Sequence, residues 1–392
     1  MGRDAVIAPH AIVLIIFILS PRVAIPFGEY IPSMIAAAYL CFHILMKTIT
    51  INIKLFIYIC FICSFIYLRT IFTEDAYDTA LIKLSIGILL AYFLGVAFST
   101  RFKLSEVLRI IAITGVLNSV LITVEFIIPE LKAMIENMLI QNNSGLIYAD
   151  HPFQMRGIAS AGGAALSIFN FTCVYLLLYE VNFKKKFVTV LSVCVLLVSC
   201  VVIGRTGLAA ILMLLIFWIV TNLIKKNYKY SKFTLVSMVF FIIYYSFYFL
   251  ETDVLEQDYL IWSMEILTLF NGSENKTLAH LAPMIVLPEG WHLLYGSGSF
   301  ERQVGYVQSD IGYLKTLHFG GLLFCFLFYG FFLILTIYLR NMNKKYIAIL
   351  LLIFFIFELK EPFFVQNINS RLWFFVAGFI YPVFRKSNRA AD

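Results

Sequence analysis

Apolar residues in this chain come in long, nearly unbroken runs. They show neither the narrow stripe of a surface helix nor the alternation of a half-buried strand. A helix needs about 20 residues to cross a hydrocarbon core of ~30 Å. By that measure the runs predict twelve membrane-spanning helices, at roughly 5–20, 31–46, 52–68, 80–99, 107–128, 161–181, 187–203, 208–224, 233–250, 312–338, 346–359 and 372–384. The first and the last two are short enough to call for tilt or local thinning of the bilayer. The fold class expected is an all-α polytopic membrane protein with about twelve transmembrane helices in a single integral domain, 1–392.

Composition agrees with that pattern. Hydrophobic residues make up 61% of the 392 and charged residues 14%, against roughly 45–50% and about 25% in soluble domains. The mean hydropathy is +0.89. The first apolar run has no A-x-A-like cleavage site and reads as a retained span. All seven cysteines fall inside apolar runs. Cys60 and Cys63 form a C-x-x-C without a second pair or a His cluster to complete a zinc site. The carboxylates at 73–78 and 251–253 likewise lack a second cluster, so no metal site is expected.

Charge orients the spans. With both termini in the cytoplasm, 19 of the 30 Lys and Arg lie on the inner side against four acids, and 11 face 19 acids outside. The net charge of +7 thus divides into +15 inside and −8 outside. The basic balance reports topology rather than nucleic-acid binding. The inner loops are short, whereas two outer loops are long: 129–160, and the large loop 251–311 with "EGWHLLYGSGSFERQVGYVQSD" in it. Long loops in compact proteins are usually functional or disordered, and this one is too aromatic for disorder. Chemistry is therefore expected on the outer face.

Charges at membrane depth single out the candidate residues. The 38 residues from Phe187 to Ile224 hold one charged side chain, Arg205. As one helix they would extend ~57 Å, so the chain must turn, and "IGRTG" supplies the place. Arg205 is then either a cation for an anionic ligand or a turn arginine snorkelling to headgroups. Arg156, in "QMRGIASAGGAA", stands before the sixth span, where a helix N-terminus favours anions; the alternative is an interfacial anchor. Arg302 lies in the large loop. Asp310, Leu314 and His318 follow i, i+4, i+8 at the tenth span, so an acid and a His share one helical face. Asp310 also suits an N-cap. His151 and His292 are further outer-loop candidates for a base. Glu358, Lys360, Glu361 and Arg371 crowd one short outer loop, where structural pairing is expected.

Together these features resemble the Wzy-type O-antigen polymerases and the related O-antigen ligases of bacterial envelopes. The resemblance rests on the chain length, the twelve spans and the large later outer loop. It also rests on the R-G-I at Arg156, the "GRTG" turn at Arg205, and "SDIGYLKTLHFGG" with its Gly320–Gly321 pair. It covers most of the chain by architecture and about thirty residues by motif. The ligases carry a His-Asn type dipeptide before that Gly pair; here the place corresponds to Asp310–Ile311, which favours polymerase over ligase.

The resemblance implies a GT-C-like integral membrane glycosyltransferase of the bacterial inner membrane that works without a nucleotide sugar or other cofactor. Its substrate would be an undecaprenyl-pyrophosphate-linked oligosaccharide, drawn from the membrane lipid phase, and its protein partner a chain-length regulator. It implies that Arg156 and Arg205, with Arg302, hold the pyrophosphate, and that the base is to be sought among Asp310, His318 and His292. The rival classes are a lipid-linked oligosaccharide flippase or other secondary transporter, and an O-antigen ligase.

Overall fold

The computed structural model describes residues 3–46, 49, 51–72, 79–140, 155–160, 162–181, 186–224, 284–298 and 311–389. Among them the regular structure is helical, apart from one isolated antiparallel bridge, Val23 to Leu139. A helix stands at every expected span except 233–250, which lies outside the described residues. Six helices are long and apolar enough to cross a membrane, and four shorter ones are apolar. The helices turn large apolar residues outward: Met213, Phe217 and Phe326 are all exposed. Asn118, Ser119, Asn170 and Ser199 are buried. Apolar side chains on the outside, over a mostly apolar interior that also holds polar groups, suit lipid as solvent.

The chain divides into two compact units, each described by itself: Met1–Pro32 with Leu108–Ser273, and Ser33–Val107 with Glu274–Asp392. The first unit holds α1 (Arg3–Leu19), most of α5 (Leu104–Ile127), α6 (Pro129–Met138), α7 (Gly163–Tyr179), α8 (Lys186–Ile203) and α9 (Arg205–Ile224). The second holds α2 (Ile31–Leu45), α3 (Ile53–Ile71), α4 (Thr79–Ser99), α10 (Trp291–Tyr295), α11 (Gly312–Asn341), α12 (Lys345–Phe357) and α13 (Asn367–Arg389).

In the first unit α8 and α9 are separated at Gly204, the turn expected from "IGRTG". Polar side chains join its helices in the interior. Asn170 Nδ2 on α7 donates to Ser119 Oγ on α5 at 3.0 Å and to Ser199 Oγ on α8 at 2.9 Å. The two serine hydroxyls lie 2.8 Å apart. Between helices whose lipid-facing sides gain nothing from the hydrophobic effect, such bonds and close packing fix which faces meet.

In the second unit α4 crosses α13 with Gly95 seated on the Phe375 backbone and Gly378 on the Tyr92 backbone. A Cβ at either position would collide with main chain, so the small residues permit the close approach. The tenth span departs from expectation. Residues 312–338 read as one straight helix, yet Gly321 has φ +65 and ψ −169, a conformation that breaks the helical path and suits glycine. The rings of Tyr313 and Tyr329 come within 5.0 Å. They are sixteen residues apart, which in a straight helix is ~24 Å. The chain therefore folds back at Gly321, setting 312–320 beside 322–341. The second half alone is twenty residues, one membrane thickness.

Candidate functional site

Arg156 is the most closely held of the expected site residues. It lies in the segment 155–160 that leads into α7, and it is 0% exposed. Its Nε donates to Glu136 Oε1 at 3.2 Å and its Nη2 to Oε2 at 2.6 Å, a fork on a carboxylate that is itself 1% exposed. Nη1 and Nη2 also reach the Ile140 carbonyl at 3.4 Å. The backbone here is anchored on three sides. Asn118 Nδ2 donates to the Arg156 carbonyl at 3.1 Å, while Asn118 Oδ1 accepts the Ile158 amide at 3.1 Å. The Ser160 amide donates to the Leu19 carbonyl. The Ile140 amide donates to Arg22 and the Ala24 amide to Met138, tying the end of α6 to the chain after α1. In place of the surface cation sought at Arg156, the structure has an enclosed ion pair, because α6 brings Glu136 across it.

That partner was hidden by reading 129–160 as loop. Its first ten residues are the amphipathic α6, begun by Pro129 in the first turn, where a missing N–H costs nothing. Lys132, Ile135 and Glu136 are buried on one side of it. A further acid also escaped attention: Glu125, on α5, is 1% exposed. Glu136, Lys132 and Arg156 are the charged groups that act on it. Among the described residues neither of its carboxylate oxygens has a hydrogen-bond partner; the Gly157 amide faces it without closing a bond of good geometry. The signal was present, since Glu125 is the one acid in the apolar run 107–128.

Arg205 opens α9. Its neighbour Gly204 meets the Gly163 backbone at the start of α7, and the Gly207 amide donates to Ser167 Oγ at 3.1 Å. The α8–α9 turn therefore sits at the same end of the unit as the Arg156 segment, whose chain enters α7 seven residues later.

The two candidate histidines belong to the second unit. His318 Nε2 is 2.8 Å from the Val286 carbonyl, which fits the tautomer protonated at Nε2. Its own carbonyl accepts from the Ser297 amide at 2.7 Å and Ser297 Oγ at 2.9 Å. Gly298 N donates to the Phe319 carbonyl. The turn after α10 thus satisfies the last carbonyls of the 312–320 half-helix, which the reversal at Gly321 leaves open. His292, exposed on α10, has Nδ1 3.3 Å from the Gly296 carbonyl. Arg69 Nη2, from the end of α3, donates to that same carbonyl at 2.6 Å. Arg69 was not singled out from the sequence.

Asp310, Arg302 and His151 lie outside the described residues. Helix α11 begins at Gly312 with Ile311 in the N-cap position. Of the face expected to run from Asp310 through Leu314 to His318, Leu314 and His318 lie on this helix. Glu358, expected in a structural ion pair, is fully buried and takes hydrogen bonds instead. Tyr329 Oη donates to Glu358 Oε1 at 2.9 Å and the Phe364 amide to Oε2 at 3.2 Å. Burial pushes its carboxyl up to about 8, with the Phe364 amide and Tyr329 hydroxyl pulling the other way. The group stands just past α12, at the head of the turn to α13.

Compared with family models, with curated proteins and with solved structures, the chain matches none.

Proposed function

We propose that the chain is a GT-C-like membrane glycosyltransferase of the O-antigen polymerase type, at the outer face of a bacterial inner membrane with both termini in the cytoplasm. It transfers the growing glycan from undecaprenyl pyrophosphate to a hydroxyl of the next lipid-linked unit. One observation supports this reading above the others. Gly204, next to Arg205, packs on Gly163 at the start of α7, seven residues after Arg156, so both arginines stand in the chain at one end of one helical unit. Breaking the anomeric bond builds charge on the pyrophosphate. Arginine suits that charge because its fork binds phosphate oxygens bidentately and stays protonated. Fixed cations in a water-poor site stabilise developing charge strongly. Arg156 is held on Glu136, so the donor's phosphate competes with Glu136 for it, and the second cation is sought at Arg205, whose side chain lies outside the described ones.

A second reading, a lipid-linked oligosaccharide flippase, is favoured by the reversal of α11 at Gly321, since transporters use interrupted helices at their binding sites. A deletion strain separates the two. Loss of a polymerase leaves single repeat units on the lipopolysaccharide, and loss of a flippase leaves none. A full-length ladder in the deletion strain would overturn both.

A further inference from the structure

Among the described residues no structural task accounts for Glu125. It is 1% exposed, sits two residues before the end of α5, and among the described residues has no hydrogen-bond partner for either oxygen. Nearly every buried polar group in a native protein is hydrogen-bonded, so an orphaned carboxylate calls for an explanation. Leaving a charged acceptor without partners costs more than any cap or turn role returns. Its placement narrows what it can do. Asn118, Ile122 and Glu125 follow i, i+4, i+7 and form one face of α5. Asn118 on that face is bonded to the Arg156 carbonyl and the Ile158 amide. Glu125 faces the same segment at Gly157, with Arg156, Lys132 and Glu136 as its charged neighbours. Glu136 is committed to Arg156. Of the two acids in the cluster, Glu125 is the one with both oxygens unused.

We propose that Glu125 is the proton acceptor of the transfer step, a catalytic carboxylate beside the arginine that binds the leaving pyrophosphate; this rests on the glycosyltransferase reading above. The acceptor hydroxyl oxygen bonds to the anomeric carbon as the bond from that carbon to the pyrophosphate oxygen breaks. The bonding pair leaves on the pyrophosphate, which Arg156 and Arg205 hold. The hydroxyl proton passes to a Glu125 oxygen and from there to water. No oxidant, metal or cofactor enters the balance. In the resting arrangement the segment at Gly157 covers the carboxylate, so the acceptor reaches it only once that segment gives way. Displacement of Glu136 from Arg156 by the donor's phosphate acts on that same segment.

The test uses membrane vesicles of the deletion strain, which on the polymerase reading carry their own accumulated single-repeat lipid, complemented with full-length variants at matched membrane level. Glu125→Gln is expected to cut polymerisation about 10²–10⁴-fold, the usual worth of a general base. Glu125→Asp is expected to keep a shortened ladder. Glu125→Ala is expected to be inactive alone and to regain chain growth when formate is added, which a merely structural role would not do. Equal ladders from wild type and Glu125→Gln would overturn the proposal, and so would formate without effect on Glu125→Ala. If Glu125→Gln does not accumulate in the membrane, the alanine variant with and without formate decides alone. A deletion strain without accumulated single repeats would overturn the polymerase reading itself, before any Glu125 variant is compared.

Discussion

Replacing both members of the Arg156–Glu136 pair by apolar residues distinguishes what the pair does for the fold from what Arg156 does for chemistry. Each side chain is at most 1% exposed, and the fork makes two charge-assisted bonds. Removing one partner leaves a buried charge uncompensated, at about 3–5 kcal/mol. Exchanging the whole pair for apolar residues of similar volume is often neutral or stabilising. Glu136→Leu alone and Arg156→Met alone should therefore each destabilise by about 3–5 kcal/mol, while the double variant stays within about 1 kcal/mol of wild type. The assay is reversible unfolding in mixed micelles, read by circular dichroism, for the four corners of the cycle. On the glycosyltransferase reading the double variant folds yet yields single-repeat glycan, because the phosphate fork is gone. Single variants each costing under about 1 kcal/mol, as an exposed pair would, would refute the burial argument. A wild-type ladder from the folded double variant would confine Arg156 to a structural role.

At Arg205, lysine keeps the charge and loses the fork, so Arg205→Lys should shorten the glycan ladder nearly as much as Arg205→Ala; a wild-type ladder from Lys would mean headgroup snorkelling. Reporters fused after Lys186, Lys226 or Lys345 should read cytoplasmic and those at Gln141 or Gly272 periplasmic, and a cytoplasmic signal at Gly272 would put the proposed site on the wrong face. The Glu358 carboxyl is raised from its ordinary 4.5 to about 8 by burial, so the folded state binds the extra proton. Its contribution is full below about pH 4.5 and is lost as pH rises through 8. Unfolding scans across that range should show the decline in wild type and a flatter profile in Glu358→Gln; identical profiles would remove Glu358 as the titrating group.

The apolar runs disclosed the helices because burial in lipid and helix length both leave their mark on composition. The turn at Gly204 was legible for a related reason: an apolar stretch of two membrane thicknesses must reverse, and only "IGRTG" permits it. The partners of the charges were not legible. Glu136 lies twenty residues before Arg156, in a stretch whose apolar positions Leu131, Met134, Ile135 and Met138 mark a short helix once Pro129 is read as its start. Glu358 stood beside Lys360 and Glu361 in sequence, yet its hydrogen-bonding partner Tyr329 comes from another helix.

The reversal at Gly321 shows where hydropathy alone gives out. Composition measures how apolar a segment is and says nothing of its direction, so 312–320 counted toward a span. That half-helix is apolar because it is covered by protein: Thr316, Leu317 and Phe319 are buried, and the rings of Tyr313 and Tyr329 meet at a tilt across the fold-back. Its exposed carbonyls could not stay open in such surroundings. The amides of Ser297 and Gly298 close them, which is why a Gly-Ser-Gly run follows α10. The same turn offers the Gly296 carbonyl to Arg69 and His292. The backbone chemistry of one broken helix thus brings a cation, two histidines and a mobile-looking sequence motif into a single ordered arrangement, with His318 fixed in its tautomer by the Val286 carbonyl. On the polymerase reading the proton transfer is assigned to Glu125, whose carboxylate oxygens have no hydrogen-bond partner among the described residues and whose charged neighbours include Arg156.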